Sequence, residues 1–117
     1  QALGAEAEAQ ALSWMSFIAA TLHPAGRAGT EAGQQAYAEA ERRLGTRGFT
    51  VGERLSVVDI HLFRLFWRFH PVVDLSRTAF PALWAHHDRM MELPSVIETI
   101  RIESGLGYEL PVWPPRA

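Results

Sequence analysis

The sequence predicts an all-α fold of five helices. Apolar residues recur at three- and four-residue spacing along most of the chain, no stretch alternates strictly as a half-buried strand does, and prolines and glycines separate the periodic segments. A length of 117 residues with 48% hydrophobic content suits one domain, residues 1–117, with a sizeable core.

The first helix is expected over Ala2–His23, a segment rich in the strong helix formers Ala, Glu, Leu and Met. Leu12, Met15, Phe17, Ile18 and Leu22, with Trp14, form a broad apolar stripe, and Pro24 is expected to stop the helix. The second helix runs from Thr30, read as its N-cap, to Leu44. Ala36, Tyr37, Ala40 and Leu44 line one side, while Glu41 and its neighbours Arg42 and Arg43 read as a solvated face. Gly45 follows where a C-terminal glycine belongs.

Ser56-Val57-Val58-Asp59 is the sharpest local signal. Ser56 at the N-cap and Asp59 at the third helical position form a structural capping box, with Leu55 and Ile60 as the hydrophobic staple. The helix it opens, Val57–Phe69, is apolar almost all round, as a central helix must be. His61, Arg64 and Arg68 form its one polar stripe, which must reach solvent or meet acids. His70-Pro71 ends it. Pro81 starts a fourth helix reaching about Glu92, with Leu83, Trp84, His87, Met90 and Met91 inward. Ser95 and Glu98 form a second capping box for a last helix to about Ser104, and a proline-rich tail with Tyr108 and Trp113 follows.

Eleven Lys and Arg against thirteen Asp and Glu, a net charge of −2, give no basic face for nucleic acid or an anionic membrane. No apolar run approaches the roughly 20 residues that span a bilayer. Absence of cysteine removes disulfides, thiolate metal sites and a thiol nucleophile. No H-x-x-x-H or E-x-x-H pairing occurs, so no metal is expected and His86 and His87 read as surface or interface residues. Asp59 reads as a cap rather than a catalytic acid, and no catalytic residue is assigned. His23, at the end of the first helix, either interacts with the helix dipole or projects into a cleft.

Leu55-Ser56-Val57-Val58-Asp59-Ile60-His61-Leu62-Phe63 resembles the L-S-x-A-D-x-x-L-F segment of glutathione S-transferase C-terminal domains. Val51-Gly52-Glu53-Arg54 resembles the family's lead-in to it. Phe80-Pro81-Ala82-Leu83 through Met91-Glu92-Leu93-Pro94-Ser95-Val96 resembles its following run. Leu12 to Pro24 is similar to the first helix of that domain in bacterial, beta-like transferases, although Pro24 stands where some members have lysine. Phe66-Trp67-Arg68 carries Trp and Arg in the reverse of the order common in relatives.

The resemblance implies a five-helix orthogonal bundle in which His23 contacts glutathione, and Trp14, Phe17 and Phe66 belong to the pocket for a hydrophobic electrophile. Glutathione is then the co-substrate, held mainly by a thioredoxin-like domain that this sequence lacks. The intact protein is expected to be a cytoplasmic homodimeric detoxification enzyme that conjugates glutathione or uses it for reduction. The 117-residue chain alone is expected to be inactive. Removal of the other domain is expected to expose an apolar patch around Trp14, Ile18, Leu62 and Phe66. The alternative implied is a non-catalytic, transferase-like protein-interaction module. A ligand-sensing bundle of a transcription regulator fits the helices but not the motifs.

Overall fold

The computed structural model describes residues 4–52 and 54–105, all helix, turn or loop. The helices are α1 (Ala5–Phe17), α2 (His23–Arg27), α3 (Thr30–Leu44), α4 (Val57–Phe69), α5 (Pro81–Met91) and α6 (Pro94–Gly105). α1 runs through a π-helical turn, Ile18–Leu22, straight into α2. Counted as one rod, these make the bundle five-helical and confirm the all-α expectation.

That continuity corrects the role given to Pro24. A proline inside an α-helix lacks its N–H, and its ring meets the carbonyl four residues back. In the π turn the His23 N–H donates to the Ile18 carbonyl, five residues back, and the wider turn carries the chain past the ring. Pro24 then occupies the first turn of α2, where an amide donor is not needed. The rod buries Trp14, Phe17, Ile18 and Leu22 along its inner side.

α3 keeps its expected span, but Gly29, with φ of 119°, takes the N-cap and Thr30 is the first helical residue. Ala36, Tyr37, Ala40 and Leu44 are buried as expected, and Gly33 joins them. A Cβ on Gly33 would stand 2.5 Å from a methyl of Val73, so the missing side chain is what lets the loop after α4 close on α3. Gly45 ends the helix at φ 56°, its N–H returned to the Glu41 carbonyl.

α4 is the centre of the molecule. Val58, Leu62, Phe66 and Phe69 join the rod, α3 and Leu83 of α5 in the main core. On its other side Phe63 and Trp67 pack with Met90 and Val96 in a smaller cluster that holds α6. Ile60 packs against that cluster, while its expected staple partner Leu55 is 38% exposed. α6 starts at Pro94, so Ser95 lies inside the helix and the second capping box does not form. Proline's fixed φ suits the first helical position. Glu98 instead pairs with Arg101 at 3.6 Å.

The expected apolar patch is also corrected: Trp14, Ile18, Leu62 and Phe66 are at most 6% exposed and belong to the core. Among the described residues the exposed large apolar side chains are Leu12, Leu55, Val57, Val72 and Ile102. Glu53 and the tail residues Tyr108 and Trp113 lie outside the described residues. No helix among the described residues is long and apolar enough to cross a membrane.

Candidate functional site

His23 lies at the junction of the π turn and α2, where the rod passes α4. There it lines a cleft of about 380 Å³ with Met15, Ile18 and Ala19 from the rod and His61, Arg64 and Leu65 from α4. The volume is within the usual range of small-molecule sites. The floor and walls are apolar, and the polar groups are two imidazoles and one guanidinium. No acid is among these lining residues. The stripe His61–Arg64, singled out in the sequence, therefore meets His23 across the cleft.

Trp14, Phe17 and Phe66 are not among its lining residues. Trp14 and Phe17 meet edge to face, centroids 6.1 Å apart, beneath the Arg43 guanidinium, which lies 4.3 Å from the Phe17 ring. Phe66 sits deeper, 5.0 Å from the Trp84 ring and 6.3 Å from that of Tyr37.

Ser56 and Asp59 form the expected capping box, with the Ser56 N–H donating to Asp59 Oδ2 at 2.9 Å. Asp59 does more than cap. Its other oxygen, Oδ1, accepts from the Thr50 N–H at 2.8 Å and from His86 Nε2 at 2.9 Å. The carboxylate thus ties the loop before α4, the first turn of α4 and α5 into one buried knot. Burial by itself would raise the Asp59 pKa. The hydrogen bond from His86, those from Thr50 and Ser56, and the His86 charge outweigh it and hold the group below its ordinary value. Because an ionised carboxylate only accepts, His86 presents Nε2–H to it.

His86 is therefore interior, 3% exposed, rather than a surface histidine. Its signal was present in the sequence: His86 is three residues after Leu83 and four before Met90, on the face these two bury. Trp84, His87 and Met91, expected inward, are half-buried. His87 lies among Phe63, Trp84, Phe66 and Trp67, with ring centroids 5.3, 5.3, 5.7 and 5.7 Å away. Burial, with the positive charges of His70 and Arg77, pushes its pKa down to about 4.

Glu41 also leaves its expected role on a solvated face. Its carboxylate accepts from the Ala82 N–H at 2.7 Å and the Leu83 N–H at 2.9 Å, capping α5 from α3. α5 begins after Phe80, which has no capping oxygen, so the acceptor comes from elsewhere in the chain. A second, open hollow of about 650 Å³ lies between α3 and the loop before α5. Its Glu41 is committed to that cap, and its Gln34 donates to the Val73 and Asp74 carbonyls. No group of three or more potential metal ligands comes together among the described residues.

The all-helical architecture agrees with a family comparison: the glutathione S-transferase C-terminal domain matches residues 15–94. The chain belongs to that family. The match spans the rod from Met15 to the first residue of α6, and so includes every residue that lines the cleft. Comparisons with curated proteins and with solved structures gave no match. In this glutathione S-transferase C-terminal domain the Asp59 of the capping box at the start of α4 also holds the His86 contact.

Proposed function

We propose that this chain is the helical domain of a beta-like glutathione transferase, and that the cleft between the rod and α4 receives the substrates. The observation that carries the proposal is the position of His23 on the wall of that cleft, within the segment that matches the family. His23 offers a ring N–H to glutathione, while Met15, Ile18, Ala19 and Leu65 offer apolar surface to an electrophile. The buried Trp14, Phe17 and Phe66 serve the pocket by supporting its wall from the core.

In this reading a thioredoxin-like domain binds most of glutathione and activates its sulfur. Attack by a thiol requires the thiolate, and lowering a thiol pKa requires a positioned donor or cation beside the sulfur. The helical domain contributes orientation and desolvation of the acceptor. The assembled protein is a cytoplasmic homodimer that pairs through its first helices.

The test is conjugation of glutathione to an aromatic halide, followed by absorbance. It compares the 117-residue chain with a protein joining it to a thioredoxin-like domain from the same gene. Conjugation by the joined protein, absent from the chain alone and weakened by His23→Ala, is the expected result. A joined protein that binds other proteins but neither binds nor conjugates glutathione would instead make the domain an interaction module.

A further inference from the structure

We infer that the π turn Ile18–Leu22 is a positioning device: its one extra residue turns His23 out of the register of a plain α-helix and onto the wall of the cleft. The inference rests on the transferase reading only for the ligand that His23 meets there. The placement itself stands on the burial pattern along the rod. An α-helix returns each N–H to the carbonyl four residues back and advances about 100° per residue. The His23 N–H returns instead to the Ile18 carbonyl, five residues back. One more residue fits into that turn, so each side chain after it stands where its predecessor would stand in a plain helix.

Burial marks the shift. In a plain helix Thr21, seven residues after Trp14, would fall within about 20° of it on the core side, with Leu22 about 80° away. Thr21 is exposed and Leu22 is fully buried. Gly26 agrees. Unshifted, it would stand about 120° from Trp14; moved back by one position, it stands about 20° away. It is buried, and a Cβ there would lie 2.7 Å from the Phe69 ring. The same shift directs His23. A plain helix would carry it about 80° past Met15, to the flank of the rod, whereas the shifted register brings it within about 20° of Met15. It thereby joins Met15, Ile18 and Ala19, the stripe that forms the rod's wall of the cleft. Pro24 bars the competing register, because a plain helix would set its ring against the Ala20 carbonyl.

The experiment removes the extra residue. Deletion of Ala20 combined with Pro24→Ala should yield a plain α-helix in which Leu22, His23 and Gly26 keep their faces. In the 117-residue chain, a nuclear Overhauser contact between the His23 ring and the Met15 methyl is expected for the native sequence and for the deletion variant. Joined to the thioredoxin-like domain, the two should agree in KM for glutathione within about twofold. His23→Ala should raise that KM roughly tenfold in both, at unchanged kcat. A second pair of variants reads the register without a deletion. The chain has no cysteine, so Thr21→Cys and Leu22→Cys each introduce a single thiol. The thiol of Thr21→Cys should react with a maleimide, and that of Leu22→Cys roughly a hundredfold more slowly.

Equal or reversed reactivity of the two thiols would overturn the inference. So would a deletion variant that unfolds, or one that folds without the His23–Met15 contact. If the joined native protein conjugates glutathione with a His23-dependent KM and the folded deletion variant loses that dependence, this inference fails and the transferase reading stands. If the contact holds in both chains but the joined protein neither binds nor conjugates glutathione, the transferase reading fails and the positioning of His23 by the π turn stands.

Discussion

Replacement of Asp59 by asparagine changes one atom's chemistry, and its cost follows from the four contacts of the carboxylate. Oδ1 serves Thr50 N–H and His86 Nε2–H, while Oδ2 serves the N–H and hydroxyl of Ser56. An amide has one oxygen and one NH₂. With its oxygen at Oδ1, the NH₂ faces the Ser56 N–H, donor against donor, and the capping box is lost at a cost of about 1 kcal/mol. The two remaining bonds also change from a charged to a neutral acceptor, each weakening by about 1 kcal/mol. With the amide turned over, His86 can adapt by moving its proton to the other ring nitrogen, but the buried Thr50 N–H has no such freedom. A buried donor left without an acceptor costs about 1–3 kcal/mol.

Asp59→Asn is therefore expected to destabilise the domain by about 2–4 kcal/mol, a large part of the roughly 5–15 kcal/mol typical of a domain. Urea unfolding followed by tryptophan fluorescence should show a midpoint lowered by about 1–2 M at an unchanged slope. The same experiment has a pH signature. The folded pKa of Asp59 lies below its ordinary 3.8, so its stabilisation is complete above that value and is lost as pH falls through the folded pKa. The difference between native and variant should shrink in that acid range. A variant within about 0.5 kcal/mol of the native chain at pH 7 would refute the account of Asp59 as a four-contact acceptor.

Three further outcomes are expected. His87, at about 4 against an ordinary 6.5, favours the neutral ring, so stability should be full above about pH 6.5 and decline toward pH 4. The decline is at most about 3 kcal/mol, less for the solvent screening of a half-buried ring. His87→Leu should flatten the urea midpoint across that window. Glu41→Ala should cost about 1–2 kcal/mol, seen in chemical unfolding, by leaving the α5 amides of Ala82 and Leu83 without their carboxylate. Gly33→Ala should lower the melting temperature despite the better helix propensity of alanine, because overpacking against Val73 costs about 1–3 kcal/mol.

Features written in local chemistry were legible in the sequence. α4 keeps its expected bounds because Ser56 and Asp59 announce its start and His70-Pro71 its end; α3 stops where Gly45 permits a positive φ. The reach of the first helix was not legible, since the rule that proline breaks a helix holds for α geometry and the π turn before Pro24 escapes it. Glu41 was misread for a different reason. Its partners are 41 and 42 residues away, and a cap supplied across the bundle leaves no spacing to recognise. For the cleft, the sequence showed His23 and the stripe His61–Arg64 separately; only packing of the rod against α4 brings them together. The aromatic residues chosen for the pocket, Trp14, Phe17 and Phe66, are large enough to be drawn into the core instead.

The buried knot and the cleft are connected by the rotation of α4. At about 100° per residue, Leu62, Phe63 and Phe66 fall within about 60° of Asp59, while His61, Arg64 and Arg68 lie about 140–200° from it. Holding Asp59 inward against Thr50 and His86 therefore turns His61 and Arg64 away from the core and toward the rod. Apolar burial alone fixes this rotation poorly, because nearly every other position of α4 is apolar and could face inward. A carboxylate with four donors to satisfy has only one acceptable direction. Asp59 thus specifies which face of an otherwise greasy helix is left for binding, without itself lining the cleft.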